Sequence, residues 1–141
     1  MAYNLTVLPN EAAYRALYLN TYCNPANPII TFDNIRVQFF PDGFDHAFFE
    51  STNRAAANKN QFSQARSERI TWIKDTLEDG TADIRQGYDK KTKSYDQSRR
   101  VAIVKGDYVV VIWIKNATTA KFITAYVADN SIGKILASPA W

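Results

Sequence analysis

The chain has 141 residues, 46% of them hydrophobic and 13% aromatic, enough for one domain with a buried core and too apolar for a disordered polypeptide. A net charge of +3 allows an anionic partner without requiring one. One cysteine, Cys23, and one histidine, His46, exclude an internal disulfide and a closed zinc site of soft ligands.

Met1-Ala2-Tyr3-Asn4 lacks the basic start of a leader, and no apolar run nears the roughly 20 residues of a membrane span, so a soluble, cytoplasmic protein is expected. Asn4 to Leu8 is short and β-prone. Asn10 is placed to cap a helix from Glu11 to about Tyr22, with Ala13, Leu17, Tyr14 and Tyr18 at helical spacing, and Asn24-Pro25-Ala26-Asn27-Pro28 ends it. Ile29 to Phe32 and Ile35 to Phe40 read as strands joined at Asp33-Asn34. Phe44 to Phe49 carries the histidine, and Ser51 to Ser63 reads as a helix or an ordered loop. A second helix is expected from Ser67, as N-cap, to Gly80, with Ile70, Ile73 and Leu77 on one stripe. Arg66 and Arg69 sit at its start, where the helix dipole disfavours positive charge.

Ile84 to Tyr88 reads as a short strand, followed by a lysine-rich loop. Val101 to Lys105, Tyr108 to Lys115 and Lys121 to Val127 then form a meander through turns at Gly106-Asp107 and Asn116 to Thr119. The unbroken apolar run Val109 to Ile114 predicts a central strand covered on both faces. Alternation in the last strand predicts Phe122, Thr124 and Tyr126 on one face and Ile123, Ala125 and Val127 on the other. Ile132, Ile135, Leu136 and Trp141 are expected to fold back on the domain, and Trp72 and Trp113 to be core. With no repeat, linker or low-complexity tract, residues 1–141 read as a single domain.

His46 either hydrogen-bonds locally beside Phe44 and Phe48 or transfers protons, since imidazole titrates near neutrality. Arg66, Arg69, Arg99 and Arg100, with Thr124 and Tyr126, are the other parts that cleavage of RNA by its own 2′-hydroxyl requires: cations for the developing phosphorane charge and hydroxyls to bind phosphate. Tyr88 and Tyr95 suit base stacking. Lys91, in Asp89 to Ser94, belongs either to a phosphate-tracking edge or to a plain solvated turn. The aspartates show no metal-ligand spacing, and there is no phosphate loop, dinucleotide fingerprint or nucleophile elbow, so no metal and no cofactor is expected.

Asp45-His46, then Arg66-Ser67-Glu68-Arg69-Ile70-Thr71-Trp72-Ile73, then Phe122-Ile123-Thr124-Ala125-Tyr126 resembles, over about residues 29–129, the barnase/EndoU/colicin/RelE-like nuclease superfamily in its phage-associated and polymorphic-toxin branches. The resemblance implies an α+β fold with N-terminal helices packed on a mainly antiparallel, four-stranded sheet. Its RNA-cleaving residues would be His46, Arg69, Thr124 and Tyr126, with Arg66 as rival to Arg69. Arg99 and Arg100 fit the basic position entering the meander, and Arg66, Tyr88, Lys91, Tyr95, Arg99 and Arg100 would bind substrate. The expected activity is metal-independent endoribonuclease cleavage of single-stranded RNA, tRNA among the candidates, leaving a cyclic phosphate and held in check by an immunity or inhibitor protein. The alternative is a non-catalytic RNA- or protein-binding module of phage or mobile-element origin.

Overall fold

Asn10 opens the first helix, α1 (Glu11–Tyr22), as the sequence predicts: its backbone is extended and its side-chain oxygen accepts the Ala13 N–H at 2.9 Å. The computed structural model describes residues 3–50, 61–89, 91–104, 106–128 and 132–141. Tyr14, Tyr18 and Tyr22 recur at every fourth position and are all buried, so they fix the face that α1 turns inward. A buried phenol needs a partner, and each donates to a distant main-chain carbonyl: Thr6, Phe40 and Ile70 respectively. These bonds tie one helix to three separate segments. The Tyr22 hydroxyl also accepts the Lys74 N–H at 3.2 Å. Tyr22→Phe keeps the ring and removes both bonds, and is expected to lower stability by about 1–3 kcal/mol. A denaturant midpoint shifted at constant slope is the readout, and an unmoved midpoint would show that the hydroxyl contributes nothing.

The segment 4–8 forms no strand. The predicted hairpin is present but short, β1 (Ile29–Ile30) against β2 (Arg36–Gln38), and Asn34 takes the left-handed backbone (φ 67°) that asparagine tolerates. A helix the sequence did not announce follows, α2 (Gly43–Phe48). Its glycine permits the approach to α1, because a Cβ at Gly43 would lie 2.5 Å from the Tyr18 hydroxyl. β3 (Phe49–Glu50) pairs with β4 (Gln61–Phe62), while 51–60, most of the stretch expected to be helix or loop, lies outside the described residues.

The second predicted helix is two, α3 (Gln64–Ser67) and α4 (Ile70–Glu78), because the backbone of Arg69 (φ −98°, ψ 19°) leaves helical geometry. Ser63, not Ser67, is the N-cap: it accepts the Arg66 N–H at 3.2 Å, and Ser67 is buried one turn later, donating to the Ser63 carbonyl. Ile70, Ile73 and Leu77 form the buried stripe expected of α4.

β5 (Asp83–Asp89), β6 (Ser94–Ile103), β7 (Tyr108–Ile114) and β8 (Thr119–Val127) complete a six-stranded sheet of order β1-β2-β8-β7-β6-β5, rather than the four strands the resemblance implies. Among the described residues only β2 and β8 run parallel, so the architecture is α+β with a mainly antiparallel sheet. Val109 to Ile112 are buried on both faces, as the apolar run predicts, but its last two residues are not: Trp113 is exposed and Ile114 half-buried. Val110 and Ile112 join the aromatic core with α1, α2 and α4, and Val109 and Val111 meet Ile132 and Ile135 of a C-terminal turn of helix, α5 (Ile132–Leu136).

The alternation predicted for β8 does not hold. Val111 pairs with Thr124 and Ile112 with Phe122, so Ile123 is an extra residue in a β-bulge, and a bulge resets which side chains share a face. Phe122 turns into the helix-side core, stacked on Phe39 with centroids 4.7 Å apart, while Thr124 and Tyr126 turn to the opposite face.

Candidate functional site

That opposite face carries a cleft of about 550 Å³ lined by Tyr88, Tyr95, Arg99, Thr124, Tyr126 and Lys134, among others. Five of these six were legible as candidates in the sequence. The strand pairing shapes the cleft. Gln86 pairs with Arg100 but Gly87 pairs with Asp96, so Gln97, Ser98 and Arg99 have no partner on β5. The Asp96 carboxylate accepts the Ser98 N–H at 2.8 Å and holds that excursion in a side-chain-closed turn. Arg99 then lies across Gly87, where a Cβ would come within 2.4 Å of the arginine Cγ, so only glycine leaves this path open.

At the centre stands Tyr126, partly buried. Burial raises its phenol pKa and the charges of Arg99 and Arg66 pull it partly back, with a net rise. At neutral pH the hydroxyl is therefore a hydrogen-bond donor and not a base. The Arg66 guanidinium lies 5.9 Å from the tyrosine ring. Two residues along β8, the Thr124 hydroxyl donates to the main-chain carbonyl of His46 at 3.2 Å, tying the last turn of α2 to the rim of the cleft. His46 itself is exposed, whereas Phe44 and Phe48 on either side of it are buried, so the phenylalanines do not seal the imidazole. It lines a smaller recess of about 160 Å³ with Phe40, Asp42 and Lys121.

Not every candidate is at this place. Arg69 is held at the start of α4, donating to the Ala65 carbonyl at 2.7 Å with its guanidinium 5.2 Å from the Trp72 ring, so of the two helix arginines it is Arg66 that approaches Tyr126. Lys91 lies in the exposed turn between β5 and β6, its N–H bound to the Asp89 carboxylate, and does not line the cleft. Arg99 and Arg100 are separated by strand parity. Arg99 enters the cleft, whereas Arg100 points to the helix side, 3% exposed, and forms a two-pronged ion pair with Asp33 at 3.1 and 2.6 Å. Its Nη1 and Nη2 are engaged by Asp33 and its charge is already neutralised, while its buried Nε has no hydrogen-bond partner among the described residues; facing the helix side, it has no part in binding from the cleft.

No protein-family model, curated protein or solved structure matches this chain. Among the described residues no three His, Cys, Asp or Glu side chains gather as a metal site, and no helix is long and apolar enough to cross a membrane. Lys134 escaped the sequence reading because only the return of α5 over the sheet brings it to the cleft. Trp113, expected in the core, is 42% exposed.

Proposed function

We propose that the protein is a metal-independent endoribonuclease acting on single-stranded RNA, of the barnase/EndoU/colicin/RelE-like kind. The observation that carries this reading is the meeting of three chain segments on β8: the main-chain carbonyl of His46 bonded to Thr124, with its imidazole on the neighbouring recess, Arg66 facing the Tyr126 ring, and Arg99 in the cleft that both hydroxyls line. The 2′-oxygen attacks the adjacent phosphorus, forming the P–O2′ bond and breaking the P–O5′ bond. One proton leaves the 2′-hydroxyl and one is delivered to the departing O5′, which yields a 2′,3′-cyclic phosphate and a free 5′-hydroxyl. His46 moves protons in this scheme, Arg66 and Arg99 hold the non-bridging oxygens, and the Tyr126 phenol donates to the phosphate. Thr124 positions α2, and with it His46. Tyr88 and Tyr95 stack on bases beside the cut. An inhibitor protein covering this cleft is the partner such an activity calls for in the cell that makes it.

A fluorescent oligoribonucleotide incubated with the protein in excess chelator tests the scheme. Cleavage is expected to leave a cyclic phosphate and to stop when the nucleotide 5′ to the cut carries a single 2′-deoxy sugar. Cleavage that survives the deoxy substitution overturns 2′-hydroxyl attack. Salt-dependent binding without any turnover assigns the cleft to a non-catalytic binding module instead.

A further inference from the structure

Trp113 is the exposed next-to-last residue of a strand whose preceding residues Val109 to Ile112 are at most 4% exposed. Its indole makes no hydrogen bond and no ring contact among the described residues. Both residues directly opposite are cations, Arg99 on β6 and Lys121 on β8. With strands about 4.8 Å apart, the three side chains make one row across the face, charge, ring, charge. Lys115, the first residue beyond β7, adds a further cation, its ammonium bound to Gln38 at 2.9 Å.

The row continues at both ends. Arg99 leads into the cleft beside Tyr88 and Tyr95, two exposed rings in an edge-to-face pair 5.4 Å apart. Lys121 lies 5.2 Å from the exposed Phe40 ring, in the recess that His46 and Asp42 also line. Rings therefore alternate with cations from the cleft to the recess. An apolar peptide would be matched by contiguous apolar surface, and a duplex would keep its base faces hidden. A single strand offers bases to stack, with phosphates between them to neutralise.

We propose that Trp113, between Arg99 and Lys121, is a base-stacking station on a single-stranded RNA track that runs over the sheet from the cleft to Phe40. The inference rests on the nucleic-acid reading of the cleft and not on its turnover. It is tested with a fluorescent 12-residue strand carrying 2′-O-methyl sugars throughout, which has no free 2′-hydroxyl to attack, by anisotropy at several salt concentrations. Trp113→Ala is expected to weaken binding roughly 10-fold or more, while Trp113→Phe, which keeps a ring, retains most of the affinity. Lys121→Ala is expected to lower the slope of log K against log salt by about 0.7, the loss of one phosphate contact to a single strand. Equal binding by wild type and Trp113→Ala overturns the track, and so does failure of the wild type to bind the strand. If wild type cuts RNA yet Trp113→Ala binds unchanged, the track falls and the nuclease reading stands. If nothing is cut yet Trp113→Ala binds weakly and Trp113→Phe well, the track stands and the nuclease reading falls.

Discussion

His46→Ala is expected to slow RNA cleavage by roughly 10²–10⁴-fold, the usual contribution of a positioned proton-transfer group. The fold should tolerate the change. The six residues of α2 are held by Phe44, Ala47 and Phe48 in the core and by the close approach at Gly43, whereas His46 lies on the exposed side. Lost activity with an unchanged denaturant midpoint would place the defect in chemistry rather than stability. Tyr126→Phe separates a second role. It keeps the ring that faces Arg66 and removes only the donor, so kcat should fall while folding is preserved. Thr124→Val removes the bond to the His46 carbonyl and should give the smaller loss expected of a positioning residue. Equal cleavage by wild type and His46→Ala removes the imidazole from the mechanism.

The sequence disclosed elements more readily than faces, and the reason is physical. Apolar spacing marks a helix or strand over many residues, so α1, the α4 stripe and the β6-β7-β8 meander are visible from Tyr14, Ile70 or Val109 and their neighbours. Which way one side chain points depends on parity, and a single extra residue reverses it. Ile123 does this in β8, sending Phe122 inward and leaving Thr124 and Tyr126 on the cleft side. The excursion at Gln97 to Arg99 shapes the other wall and has only the short Asp96-Gln97-Ser98 turn as its signature. A helix as short as α2 carries too few residues for its period to register. Of the arginine pairs, neither is resolved by composition: Arg66 and Arg69 differ by the break between α3 and α4, and Arg99 and Arg100 by one step along a strand. Trp113 looked like core because its neighbours are apolar, yet as the next odd-numbered residue after Val111 it lies beyond the patch that α5 covers.

Asp33→Ala is expected to cost about 3–5 kcal/mol, because it leaves a buried guanidinium without its counter-charge. The Arg100 side chain is 4% exposed and that of Asp33 32%. Two rings hold the cation in place, Trp141 at 4.4 Å and Phe32 at 5.5 Å, and the chain end is fixed in turn by the Trp141 N–H on the Ile84 carbonyl and its indole on that of Gln97. One ion pair thus joins the turn between β1 and β2, strand β6 and the C-terminus. Burial by itself raises the Asp33 carboxyl, but hydrogen bonds from Arg100 and Thr31 and the arginine's charge outweigh it, so its pKa falls below the ordinary carboxylate value. A pKa depressed on folding adds stability above the unfolded value of about 3.9 and loses it as pH drops through the folded one. Asp33→Asn, which preserves the shape and removes the charge, should therefore be well below wild type in stability at pH 7, with the difference closing as the pH is taken below about 4. A difference that stays constant down to the lowest pH at which both proteins fold would assign the loss to packing around Arg100 and not to its charge.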